Sequence, residues 1–162
     1  SLALCHTAHT SIDSTLTWGN RPNPDIGLSN TGIQDGILHF YDLTGDRGLP
    51  CYMTPSMILT TPTNVFACRE ILGSAGKPYT AQNERNALLP DELSWQISRY
   101  ITTSTYWFMV VQQGEHDINL WVRDENDFDL FDDPFTRNAV AASYQRHISG
   151  YNEWRGIYGS TG

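Results

Sequence analysis

The sequence predicts an α+β fold. Three observations carry it: helical apolar spacing in the first half, a change to strand patterns after Trp95, and Gly, Pro and Asn clusters between the periodic stretches. Residues 1–28 are rich in Thr, Ser, Asn and Pro, with Gly19-Asn20-Arg21-Pro22-Asn23-Pro24 near the middle, and read as an extended, loop-rich segment. From Ser29 to Leu43, the residues Ile33, Ile37, Leu38, Phe40 and Tyr41 fall at helical spacing behind a Ser or Asn cap. Gly32 and Gly36 weaken that helix, each by about 1 kcal/mol relative to Ala. Gly45-Asp46-Arg47-Gly48 reads as a turn.

Within Tyr52 to Thr61, the run Met57-Ile58-Leu59 suits a buried strand between Pro55 and Pro62. A second helix follows, with Thr63 as cap, an apolar face of Val65, Phe66, Cys68, Ile71 and Leu72, and Gly73 as its stop. Residues 74–94 are polar and loop-like and hold Tyr79-Thr80-Ala81-Gln82-Asn83-Glu84-Arg85-Asn86. Beyond them Trp95, Ile97, Arg99 and Ile101 alternate with polar residues, and Tyr106 to Val111 is a continuous apolar strand. Ile118, Leu120 and Val122 alternate again, which predicts a hairpin over 106–123 around Gln113-Gly114-Glu115. Residues 137–158 fit either a helix from Arg137 to Arg146 or a long strand broken at Gly150. The alternation of Val140, Ala142, Tyr144, Arg146 and Ile148 favours the strand.

Composition narrows the function. The 162 residues include 40% hydrophobic and 12% aromatic side chains, enough for a core, yet only 17% are charged, against about 25% in ordinary soluble domains. Five Trp and eight Tyr on so sparsely charged a chain point to surface hidden against partners. The net charge is −8, and Lys77 is the single lysine beside nine arginines. With no basic run, the chain lacks the electrostatic footprint for gripping phosphates, although an acidic wall around enclosed DNA is compatible. Cys5, Cys51 and Cys68 form no CxxC pair, which argues for free thiols in a reducing cytoplasm rather than a disulfide framework or zinc knuckle. No run approaches the roughly 18 apolar residues of a membrane span, and the start lacks the basic region of a signal peptide.

Two clusters suggest metals and fail on spacing. Cys5-His6-Thr7-Ala8-His9, with Asp13 nearby, has no second ligand pair to close a tetrahedron. The run Asp124 to Asp133 would need Gly at the sixth place and Glu at the twelfth for an EF-hand. Counted from Asp124, those places hold Asp129 and Phe135, so a solvated acidic loop is expected instead. No GxSxG, P-loop, GxGxxG or HExxH occurs, and His39, His116 and His147 are scattered. No catalytic residue, metal or cofactor is expected. A small His/Cys hydrolase is the remaining enzymatic alternative.

Three ordered stretches carry a resemblance. The first is Leu4-Cys5-His6-Thr7-Ala8-His9 with Trp18-Gly19-Asn20 and the Leu28-Ser29 helix start. The second is Pro55-Ser56-Met57-Ile58-Leu59, the helix with Ala67 and Ile71-Leu72-Gly73-Ser74, and Lys77-Pro78-Tyr79-Thr80-Ala81-Gln82-Asn83-Glu84-Arg85-Asn86. The third is Arg99-Tyr100-Ile101-Thr102, Tyr106-Trp107-Phe108, Trp121-Val122-Arg123, Asp132-Asp133, Arg146-His147-Ile148-Ser149-Gly150 and Trp154-Arg155-Gly156-Ile157-Tyr158-Gly159-Ser160-Thr161-Gly162. In this order they resemble the tailed-bacteriophage major capsid proteins of the Hong Kong 97-type fold, with the closing tail as the strongest part.

The resemblance implies an axial domain plus the closing strands of a peripheral domain, with the N-terminal arm, extended loop and spine helix absent from this chain. Residues 1–28 would join the peripheral and axial domains, 29–100 would be mainly axial, and 101–162 would be axial strands returning to the peripheral domain. It implies an icosahedral shell of hexamers and pentamers, built from copies of the chain. Portal, scaffold or decoration proteins are further partners. The shell would enclose double-stranded DNA without sequence-specific binding and without a membrane, as a virion capsid made in the bacterial host cytoplasm. A phage-derived nanocompartment around protein cargo is the alternative within the same fold. Arg123, Arg137, Arg146 and Arg155 are expected to meet Asp132, Asp133 and the rest of the acidic run across a subunit boundary, with Trp154 as an interface anchor.

Overall fold

Ser29 starts the first helix by the means its sequence suggests. Its backbone is extended (φ −150°, ψ 165°), and its hydroxyl accepts the Gly32 N–H at 3.1 Å, satisfying one of the orphan donors of α1 (Asn30–Asp42). This is a computed structural model that describes residues 3–10, 16–77, 84–88 and 93–162. Asp13 and Pro78 to Asn83, named above, lie outside the described residues. The chain divides into two units, Ser1–His116 with Glu153–Gly162, and Asp117–Asn152. The expected boundaries at 28 and 100 both fall inside the first unit.

In the first unit, Gly32, Ile33, Gly36, Ile37 and Phe40 form the buried stripe of α1. Gly36 has a packing purpose. A Cβ there would lie 3.1 Å from Met109 Cε and 3.3 Å from the Tyr158 ring, so the bare backbone lets α1 seat closely on the sheet. The helix-propensity cost read from the sequence is offset by that close approach.

The sheet under α1 has four strands, in the order β4 (Ser94–Ile97), β3 (Pro55–Thr60), β5 (Trp107–Val111) and β8 (Ile157–Ser160). Strand β3 pairs parallel with β4 and antiparallel with β5, and β5 pairs antiparallel with β8. A short hairpin of β1 (His9–Thr10) and β2 (Thr17–Trp18) precedes α1. Helix α2 (Val65–Gly73) belongs to the crossover that a parallel β3–β4 pair requires. Ile33, Phe40, Ile58, Ile71, Trp107, Met109 and Tyr158 make up the centre of the core.

Several expectations shift here. Thr63 does not cap α2; it lies inside a 3₁₀ turn, Pro62–Asn64, which Pro62 opens with its fixed φ. The strand after Trp95 stops at Ile97, leaving Arg99 and Ile101 outside it. The expected hairpin over 106–123 does not form. The turn exists, with the Glu115 N–H bonded to the Gln112 carbonyl at 3.0 Å and Gly114 at φ +99°, but the strands on either side belong to different sheets. Nearly every side chain of β5 is buried, so it takes a central place between β3 and β8. The chain after Asp117 alternates apolar residues with carboxylates that such a place could not accept.

The second unit is a ribbon of two long strands, β6 (Ile118–Asp132) and β7 (Ala139–Tyr151), paired antiparallel. The acidic run is therefore strand, not loop, and residues 139–151 take the strand alternative. The register shifts between Val122 and Asp124 and again between Asp124 and Asp127, each time by one extra residue in β6. One such bulge turns every later side chain to the opposite face, and two restore it. The result is one face with Ile118, Leu120, Val122, Phe128, Leu130 and Asp132 opposite Tyr151, Ser149, His147, Ser143, Ala141 and Ala139. The other face holds Asp124, Asp127 and Asp129 opposite Arg146, Tyr144 and Ala142, with Trp121 opposite Ile148 and Phe131 opposite Val140.

Candidate functional site: a polar clasp and a two-stranded ribbon

The first unit holds a dense group of interlocked polar side chains. Asn20 is fully buried and uses both ends of its amide. Its Nδ2 donates to the carbonyls of Leu4 (2.8 Å), Trp154 (3.2 Å) and Ile157 (2.9 Å). Its Oδ1 accepts the His6 N–H at 2.8 Å and lies 3.1 Å from His9 Nε2. Backbone bonds run the same way, from the Asn20 N–H to the His6 carbonyl and from the Gly159 N–H to the Asn20 carbonyl, both at 3.0 Å. One residue thereby ties the first segment of the chain to its last strand.

Around it the aromatic rings stack. The His9 imidazole lies parallel to Trp154, with centroids 4.4 Å apart and 4° between planes. The Arg155 guanidinium sits 4.6 Å from the Trp154 ring and 5.0 Å from Trp18. Each of its three nitrogens has a partner. Nη1 reaches both Glu153 oxygens at 2.9 Å, Nη2 reaches Asp46 Oδ1 at 2.7 Å, and Nε reaches the Thr44 carbonyl at 3.2 Å. Trp18 Nε1 donates to Thr44 Oγ1 at 2.9 Å and holds the second indole in place.

The end of the chain is fastened similarly. The Ser160 hydroxyl donates to the Ile26 carbonyl (2.7 Å) and accepts the Ile26 N–H (2.9 Å), while Trp107 Nε1 donates to the same carbonyl at 2.8 Å. Asp25 takes a two-pronged bond from Arg21 and a short one from the Thr161 hydroxyl. The Arg21 bond is the main reason its carboxyl is held well below the usual range. Gly159 makes room for this closure, since a Cβ there would lie 2.6 Å from both Cys5 Sγ and the Phe108 ring. Asn86 does a matching job near α2, donating to the carbonyls of Ile71 (2.6 Å) and Ser74 (3.0 Å).

The seven residues expected at a subunit boundary are divided between the two units. Arg155 is buried and ion-paired with Glu153 and Asp46 of its own unit. Trp154 is half-buried between His9 and Arg155. The other five lie on the ribbon. Arg123 sits exposed in the first bulge, and Asp132 is exposed where it pairs with Ala139. Arg146 approaches Asp124 of the facing strand at 3.9 Å, a contact that contributes little at an exposed site. Asp133 closes the tip. Its carboxylate accepts the Phe135 N–H (3.0 Å) and the Thr136 hydroxyl (2.6 Å), bonds that hold its pKa down. Arg137 adopts φ +55° there, the left-handed turn that reverses the chain.

The remaining candidates have structural surroundings. His6 Nδ1 accepts the Ala8 N–H at 2.9 Å. Among the described residues, no group of three or more His, Cys, Asp and Glu is placed to hold a metal. Burial pushes the Cys5 and Cys68 thiols up to about 11, the opposite of the shift that activates a nucleophile. Burial likewise lowers the His9 and His39 pKa values and raises Tyr158 to about 12. Among the described residues no helix is long and apolar enough to cross a membrane.

Sequence reasoning missed Asn20, His9, Trp18, Asp46 and Glu153 as one cluster. The only signal was that several of them lie inside the stretches carrying the resemblance. No protein-family model, no curated protein and no solved structure matches this chain.

Proposed function

We propose that this chain is part of the subunit of an icosahedral virus shell, a structural protein that assembles into hexamers and pentamers around double-stranded DNA. The observation that carries the reading is the ribbon. Two strands of 15 and 13 residues pair only with each other among the described residues. A lone two-stranded hairpin is marginal in water and needs a further strand or layer over its apolar face. On that face Leu120 is 63%, Phe128 59% and Leu130 71% exposed. An element so built suits a subunit that completes its packing in an assembly.

Two further features support the reading. The ordered resemblance covers most of the chain, and its strongest part, Trp154 to Gly162, coincides with the clasp and β8. Those residues hold the first and last segments together, which gives a physical reason for that tail to be a signature. The net charge of −8 with a single lysine suits a wall that encloses DNA without adhering to it. Arg155, read from the sequence as an interface residue, is in this account the internal fastener that keeps the subunit rigid enough to tile.

The test is particle formation by ribbon variants. Leu120→Asp with Leu130→Asp leaves the first unit unaltered and is expected to abolish closed particles in electron micrographs, while circular dichroism still reports folded protein. Closed particles in wild-type yield from this variant would overturn the reading.

A further inference from the structure

The two edges of the ribbon are built differently. Strand β6 carries five carboxylates, Asp124, Glu125, Asp127, Asp129 and Asp132, and is kinked by two bulges. These are the devices by which proteins keep a free edge from pairing. Strand β7 has none of them. It holds no carboxylate, Lys or Pro, its β6 partner carries both extra residues, and Arg146 and His147 are its only basic side chains. Small residues, Ala139, Ala141, Ala142 and Ser143, fill its distal half. A long, regular, nearly neutral edge is one that pairs.

We infer that β7 pairs antiparallel with β7 of a second copy of this chain, giving a four-stranded sheet in the order β6-β7-β7-β6 across a twofold axis. Full overlap of Ala139–Tyr151 sets the register. Gln145 then faces Gln145 of the other copy on the axis, Arg146 faces Tyr144, and Ala142 faces Ile148. Opposed residues share a face, so Leu120, Phe128 and Leu130 of both copies lie on the same side of the four-stranded sheet. Charge selects a second copy joined in this sense. The acidic strands take the outer places, about 14 Å apart at three strand spacings, beyond the screening length of about 8 Å at physiological salt. Pairing through β6 would instead bring the two acidic strands to a single strand spacing, about 5 Å, with Glu125 facing Glu125 on the axis at full overlap. Each Arg146 would lie between its own Asp124 (3.9 Å) and the Tyr144 ring of the other copy. Four strands with an apolar face also meet the requirement for stability that two do not.

The inference rests on the ribbon being an assembly element, as proposed above, and its test reads the seam alone. Sedimentation velocity is run on the chain below the concentration at which larger particles form, for wild type, Gln145→Lys, Gln145→Glu, and an equal mixture of the two variants. The wild type is expected to dimerise. Each variant sets like charges directly opposite on the axis and is expected to bind itself about five-fold more weakly. The mixture sets opposite charges there and is expected to recover wild-type association. A monomeric wild type, variants that associate as the wild type does, or a mixture no stronger than either variant would each overturn the pairing. If wild-type shells form while any of these results holds, the seam fails and the shell reading stands. If the charge swap behaves as expected without shells, the seam stands and the shell reading fails.

Discussion

Replacing Asn20 by Asp alters one nitrogen to oxygen and leaves the shape of the side chain unchanged. In wild type that nitrogen donates to three carbonyls at 2.8, 3.2 and 2.9 Å, and the residue is fully buried. Its two N–H groups serve those three carbonyls, one of them shared, and the substitution removes both donors at about 1 kcal/mol each net. It also turns a carboxyl oxygen towards three carbonyl oxygens in a fully buried place, at a further cost of about 2 kcal/mol. Together these come to about 4 kcal/mol, a large part of the roughly 5–15 kcal/mol that stabilises an ordinary domain. With a urea m-value of about 2 kcal/mol/M, the unfolding midpoint falls by about 2 M. The sign of the pH dependence is fixed too. The introduced carboxyl would have its folded-state pKa raised above its unfolded value, so the protonated form is favoured in the folded chain and the deficit shrinks as pH falls. A midpoint change below about 0.5 M, or a deficit that grows on acidification, would refute the assignment of Asn20 as the tie between chain ends.

Arg155→Lys keeps the charge but loses the fork that reaches Glu153, Asp46 and Thr44 together; a loss of about 2–4 kcal/mol is expected in urea unfolding, and a loss under about 0.5 kcal/mol contradicts the clasp. Gly159→Ala drives a methyl to within 2.6 Å of Cys5 Sγ and Phe108, and a cost of about 2–3 kcal/mol is expected by the same measurement. His9 and His39 have folded pKa values below 6.5, so their neutral forms contribute stability that is present above about pH 6.5 and lost as pH falls through that value towards the folded pKa. Urea midpoints taken from about pH 8 to about pH 5 are expected to decline. His9→Phe, which keeps a ring on Trp154 but cannot titrate, is expected to flatten that decline.

Local elements were legible in the sequence where a local cause makes them. Ser29 caps α1, and the apolar spacing of Ile33, Ile37 and Phe40 gives its buried face. The apolar run around Met57 to Leu59 gives β3, and the alternation through Val140 to Ile148 gives β7. Strand neighbours were not legible. Alternation tells which side of a strand is buried but not what lies beside it, so Trp107–Val111 was joined to the next strand in sequence rather than to β3 and β8. The clasp was harder still. Asn20 meets Ile157 at a separation of 137 residues, and Arg155 meets Asp46 at 109. No spacing rule links residues so far apart, and an arginine saturated by its own unit looks in sequence like one offered to a neighbour.

The central claim, a shell subunit, is tested most directly by electron microscopy of the purified wild-type polypeptide that carries this sequence. Closed icosahedral particles resolving into hexamers and pentamers are the predicted result. A preparation that contains only monomers or small open oligomers, at every concentration and salt tried, would contradict it.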